Sequence, residues 1–333
     1  MWKYCLILYS LLLAPAYAQE VDMPKLVTNV VNEHILPGYE RLATRSAALS
    51  KAVETSCPDN LDAVKLAYNE AFDAWMGVSH LRFGPSEDNN RAFALAFWPD
   101  TRGFTPKTLA SLLTDNDPAI HDAEKFTTVS IAARGFYPME FLLYDTQFTE
   151  EPAPQRCDLM AVMAKDIANN SAAILRDWQA GYGEMMIKAD NDIYRAPEEA
   201  VRQLYTALTT GLQFTAQTRL GRPMGSFEKP RPNRAEARRS ERSQRHVLLS
   251  LQANRQLASL LSENDEDIDR GFERAIRIVE DLDDPAFAGV GSIQGRIRVE
   301  ALQGAITLTN DLVAEYLGPK LGISAGFNAL DGD

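Results

Sequence analysis

Cysteine and histidine are scarce in this chain, three and four in 333 residues. His34, His80, His121 and His246 are scattered, and no two stand at helical spacing. There is no His-Glu-x-x-His, which excludes a zinc site with two imidazoles on one turn. A metal assembled from distant histidines stays open. No Gly-x-Ser-x-Gly nucleophile elbow is present. The run Gly289-Val290-Gly291-Ser292-Ile293-Gln294-Gly295 misses the dinucleotide spacing and follows no strand. No apolar run reaches the roughly 18 residues that a membrane span needs. Positive charge is in deficit. Lys and Arg number 34 against 46 Asp and Glu, a formal charge of -12, which argues against nucleic acid or an anionic membrane as partner.

The N-terminus reads as a secretory signal over residues 1–18. Lys3 is the positive segment, Tyr4 to Leu13 the short apolar run, and Ala16-Tyr17-Ala18 a small-x-small cleavage site. Removal of Lys3, the only charge in that segment, takes the chain from -12 to -13. A soluble periplasmic protein is expected. Cleavage also removes Cys5, leaving Cys57 and Cys157. An even count in an oxidising compartment favours one disulfide over two free buried thiols.

The periodicity is helical nearly throughout. Leu61, Val64, Tyr68, Phe72, Trp75 and Val78 make one apolar face. An earlier helix is predicted from Pro24 to Val53, bent or broken at Pro37-Gly38. Thr105-Pro106 reads as an N-cap and first-turn proline for a short helix through Leu113. A helix from Thr127 to Tyr144 is predicted to kink at Pro138. Further helices are predicted over Cys157 to Gly181, Pro197 to Leu220, Arg234 to Leu261, Asp265 to Leu282 and Gln294 to Leu317. Long helices with short connectors imply an all-α fold of two helical-bundle lobes, residues 19–185 and 186–333. A loose echo between Leu81-Arg82-Phe83-Gly84-Pro85 and Leu220-Gly221-Arg222-Pro223 hints at internal duplication.

Several segments carry candidate chemistry. Tyr137 and Glu140 share a face of the kinked helix, with Gly135 and Pro138 around them. Phenolate and carboxylate are hard ligands, better matched to ferric iron than to zinc. The bland alternative is a polar contact between helices. Asp265 to Gly271 resembles a calcium loop, but its glycine stands at position seven and Ile276 holds position twelve, so it reads as an acidic helix N-terminus. Arg222 to Arg245 is basic, with eight cations against Glu228, Glu236 and Glu241, a net of +5. It either pairs with acidic neighbours or docks an anionic ligand. Loops carrying Glu87, Asp88, Arg91 and Asp100 among aromatics suit either a site or packing plugs.

The segment Arg134-Gly135-Phe136-Tyr137-Pro138-Met139-Glu140-Phe141-Leu142-Leu143-Tyr144 resembles the Gly-x-His-x-x-Glu signature of the imelysin family, with Tyr137 in the histidine position. Glu33-His34-Ile35-Leu36-Pro37-Gly38-Tyr39 is similar to the family's first-helix motif. Trp75, Arg82-Phe83-Gly84-Pro85, Phe97-Trp98-Pro99-Asp100, Arg234-Ala235-Glu236 with Arg239-Ser240, and Phe327 to Asp333 resemble its later landmarks. The resemblance implies two all-helical lobes with a site at their junction, and an exported protein of iron acquisition. Peptidase activity is ascribed to some members. Tyr137 removes the imidazole that a zinc peptidase would use.

The expectation is a non-enzymatic periplasmic protein of iron handling. It would bind a metal, a metal chelate or a periplasmic protein partner at the junction. Tyr137 and Glu140 are the expected metal ligands. His34, Glu87, Asp88, Arg91, Asp100, Arg222 and Arg239 are expected to line the same pocket. The rivals are a metallopeptidase with Glu140 as base, and a structural adaptor whose junction is a packed seam.

Overall fold

The computed structural model describes residues 21–150 and 153–323. The expected signal peptide and the Phe327 to Asp333 motif lie outside the described residues. Within them the regular structure is helical, apart from an isolated bridge between Ala96 and Gly135. The fold is all-α, as the periodicity requires.

Helix α1, Met23–Val30, starts where Asp22 accepts the Lys25 amide at 3.1 Å. It runs through a π turn, Val31–Ile35, into α2, Leu36–Ser56. The expected break at Pro37-Gly38 is absent. Proline there deprives the Glu33 carbonyl of its helical donor, but the π turn shifts the ladder and Gln256 Nε2 donates to that carbonyl at 3.0 Å. Helix α3, Leu61–Met76, buries Val64, Tyr68, Phe72 and Trp75 on the expected face. Helix α4, Phe104–Thr114, is capped from outside, because Asp100 Oδ2 takes the Thr105 amide at 2.8 Å.

The signature segment departs most from expectation. Helix α5 covers only Phe136–Tyr144, preceded by a 3-10 turn at Ile131–Ala133 and extended backbone at Arg134. Pro138 therefore stands in the first turn, where amides have no helical acceptor, and no kink is needed. Gly135 caps the helix at φ 85°, and a Cβ there would sit 2.2 Å from the Leu95 carbonyl oxygen. Only glycine fits this crossing.

Helix α6, Ala153–Asp177, packs on α2 and touches α4 and α5. Cys57, just past α2, is disulfide-bonded to Cys157 in α6 across a Cα separation of 5.8 Å. Helices α7, Pro197–Gln213, α8, Ser243–Ser262, α9, Glu266–Glu280, and α10, Ile293–Leu312, form the second group. Helix α1 packs against α7 and α8, so the first helix of the chain reaches the second group. Asp265 caps α9 by accepting the Asp267 and Ile268 amides, which accords with the acidic N-terminus reading. The expected helix from Arg234 begins only at Ser243. Residues 235–242 instead form turns, with Ala237 at φ 47° and Glu241 at φ 56°. This irregular stretch crosses to α5 and builds the site.

Candidate functional site

A cavity of about 210 Å³ lies between α5 and the 233–239 stretch. Tyr137, Glu140 and Phe141 form one wall, and Trp98 and Asp100 a second. Arg222, Arg234 and Arg239 come from the second half of the chain.

Behind Tyr137 lies a buried charge network. The Tyr137 hydroxyl donates to Glu236 Oε1, and Arg219 Nε donates to Glu236 Oε2 at 2.8 Å. His246 Nδ1 stands 3.3 Å from the same Oε2, close enough for attraction but off the hydrogen-bonding direction. Glu236 is 1% exposed. Burial alone would raise its carboxyl, but Arg219, His246 and Tyr137 prevail and hold it at about 2. Burial, then the Glu236 charge, push the Tyr137 phenol well above its ordinary value. Tyr137 therefore keeps its proton and donates it in the hydrogen bond to Glu236.

Glu140 is held differently. Its Oε1 accepts the Ser240 amide at 2.9 Å and the Ser240 hydroxyl at 2.7 Å. Burial raises its carboxyl, and the Ser240 donors with Arg239 oppose that rise. Arg239 stacks 3.5 Å from the centre of the Phe141 ring and pairs with Asp145. Arg222 lies 5.7 Å over the Trp98 ring. Burial, then repulsion from Arg234, lower Arg222 from its ordinary value. Asp100 is held low although burial raises it, because the Thr105, Phe104 and Arg102 amides point at it.

The family profile of the imelysins matches residues 35–313. The chain belongs to the imelysin family. Iron-regulated protein A of Synechococcus elongatus is 21% identical, over 88% of this chain and 85% of that one. The crystal structure of an imelysin-like protein from Psychrobacter arcticum superposes with a TM-score of 0.75 at 18% identity, covering 92% of this chain and 97% of that one. A putative iron-regulated protein A precursor from Parabacteroides distasonis gives a TM-score of 0.74 at 14% identity, covering 91% and 97%. At these identities the superpositions establish a shared fold.

In this imelysin the cavity unites Asp100, Arg222 and Arg239 with Tyr137 and Glu140. It does not gather the other expected residues. His34 is buried against His80 and Gln256. Glu87 pairs with Arg82, and Arg91 with Asp177. Asp88 is exposed in a 3-10 turn. Arg91, tied to Asp177 at 2.6 Å, holds the 84–91 segment against the end of α6. Arg219 and His246 went unrecognised as partners of the signature. Neither lies in a motif, and only the fold places them on Glu236.

Proposed function

We propose that this imelysin is an exported, non-catalytic protein of iron handling that binds an anionic metal chelate in the Tyr137–Arg222 cavity. The observation that supports this most is the charge of the lining. Three arginines face two carboxylates, and Arg222 and Arg234 repel each other. An anion would relieve that repulsion and suits planar guanidinium groups. Direct coordination by Tyr137 and Glu140 fits poorly. The phenol proton is engaged by Glu236, and Glu140 Oε1 already accepts two hydrogen bonds. Among the described residues no three His, Cys, Asp or Glu side chains converge as a metal-binding group.

The Cys57–Cys157 disulfide supports an oxidising compartment. No described helix is long and apolar enough to cross a membrane. The name of the Synechococcus relative supports a connection with iron. The lobes 19–185 and 186–333 would meet along this cavity. Calorimetric titration with ferric citrate, citrate and ferrous sulfate tests the reading. Binding of the citrate species that is lost in Arg222→Gln is expected. Ferrous ion bound alone, unaffected by that change but lost in Glu140→Gln, would establish direct coordination instead.

A further inference from the structure

The basic region between Arg222 and Arg245 divides in two. Arg239 pairs with Asp145, and Arg242 and Arg245 pair with Asp73, so these cations are compensated inside the fold. Lys229, Arg231 and Arg234 are exposed and form no ion pair among the described residues. The chain carries a net charge of -12, yet here it leaves neighbouring cations unanswered.

Lys229 and Arg231 sit on a loop, residues 225–231, whose shape is fixed by its own backbone. The Arg231 amide donates to the Pro223 carbonyl at 2.8 Å, and the Lys229 amide to the Ser226 carbonyl at 3.2 Å. Gly225 turns the chain at φ 55°, and a Cβ there would lie 2.4 Å from the Lys229 carbonyl oxygen. Arg296 of α10 braces the loop. Its Nη1 donates to the Met224 carbonyl at 2.7 Å and to the Ser226 carbonyl at 3.0 Å, while Glu300 holds its Nε at 2.7 Å.

This loop presents Phe227. At 66% it is the most exposed large apolar side chain among the described residues. The Arg296 guanidinium lies 5.6 Å from its ring centre and supports one side of the ring. Ile293 and Ile297 stand on either side of Arg296 in α10, one turn apart on one face, and are 62% and 58% exposed. The first turn of α10 carries no acidic residue, so the positive end of its dipole adds to the local charge. Residues 232–234 pack against 288–291, just ahead of α10, which brings Arg234 to the same end of the molecule. Glu228 is the loop's one acid, and the three cations outnumber it.

This combination selects its occupant. A small anion would use the cations and leave Phe227 in water. A metal ion would be repelled. Nucleic acid and an anionic bilayer would meet the repulsion of the whole acidic chain. An aromatic anchor beside cations has the composition of a protein-binding hot spot, and a loop already held in shape loses little freedom on contact.

We propose that the Phe227 loop and the start of α10 dock an acidic segment of a partner protein. An apolar side chain of that segment packs on Phe227 and Ile297, and its carboxylates meet Lys229, Arg231 and Arg234. Arg234 also borders the arginine-lined cavity, but Phe227 and Arg231 do not line it, so the chelate reading can fail without touching this one. Fluorescence anisotropy on the full chain, with a labelled peptide of glutamates interspersed with leucines, tests it. The peptide should bind, and its glutamine counterpart should bind at least about tenfold more weakly. Phe227→Ser and Arg231→Glu should each weaken binding about tenfold, with the melting temperature of the parent kept. Lys165→Glu makes the same charge change at an exposed position of α6 and should leave binding as in the parent. Absence of binding, indifference to Phe227→Ser, or equal weakening by Lys165→Glu would overturn the proposal. Cosedimentation with phosphatidylglycerol vesicles that Phe227→Ser abolishes would overturn it too, and assign the surface to a membrane.

Discussion

The Tyr137 hydroxyl donates its hydrogen bond to Glu236, 99 residues away in the chain. That contact joins the signature helix to the second half of the protein. It also brings the phenol onto a carboxylate already paired with Arg219. Tyr137→Phe removes one donor from a buried carboxylate. It should cost about 1–3 kcal/mol of stability, read by urea denaturation. A variant as stable as the parent would show that the contact contributes nothing.

Stability should fall with acid in two steps. His34 titrates at about 4 in the folded protein against an ordinary 6.5. The unfolded chain therefore binds the proton first, and stability is lost as pH drops from 6.5 towards 4. Glu236 stands at about 2 against an ordinary 4.5, so its contribution is complete above 4.5 and disappears as pH falls towards 2. Glu140 acts in the opposite sense, since burial raises it and its ionisation opposes folding as pH rises. Denaturation midpoints across this range should show a flatter upper limb in His34→Asn and a flatter lower limb in Glu236→Gln. Unchanged slopes in both would refute the assignment.

Gly135 is irreplaceable on geometric grounds. Its φ of 85° and the carbonyl 2.2 Å from a built Cβ both oppose a side chain. Gly135→Ala should lose at least about 1–3 kcal/mol through backbone strain alone, with the clash in addition. A melting temperature within a degree or so of the parent would contradict this geometry.

The disulfide closes a sequence separation of 100 residues. Chain-entropy reasoning assigns such a loop about 4–5 kcal/mol. Paired Cys57→Ser and Cys157→Ser substitutions should lower stability by an amount of that order, matched by the parent under reductant. Equal stability with and without reductant would show that the covalent link is thermodynamically idle.

Arg222 and Arg234 offer a salt-dependent signature. If the cavity takes an anion, Arg222→Gln should weaken ferric citrate binding by about tenfold, the effect of one charge-assisted hydrogen bond. Added salt should weaken the parent more than the variant. Equal salt sensitivity in both would point to a site elsewhere.

Much of this was legible in the chain itself. The apolar spacing of Val64, Tyr68, Phe72 and Trp75 is local, so it revealed α3 and its buried face directly. Cys57 and Cys157 are the two cysteines outside the expected signal segment, and they are bonded to each other. Family membership was visible in the landmarks around Gly135, Trp98 and Arg239. The kink at Pro138 was misread because Gly135 ends extended backbone, which depends on a contact with Leu95 that no local pattern records.

The site belongs to the other category. Residues 235–242 have helical composition but adopt turns, because Glu236 and Ser240 satisfy Arg219, Tyr137 and Glu140 across the interior. His34 looked like a pocket residue and is instead buried on His80. Local periodicity and cysteine count act over neighbouring residues or over the whole chain at once, so the sequence alone determined the helical class, the long helices such as α3 and the disulfide. Which buried charge meets which partner depends on long-range packing, where desolvation makes each unpaired group costly, and only the tertiary structure decided it.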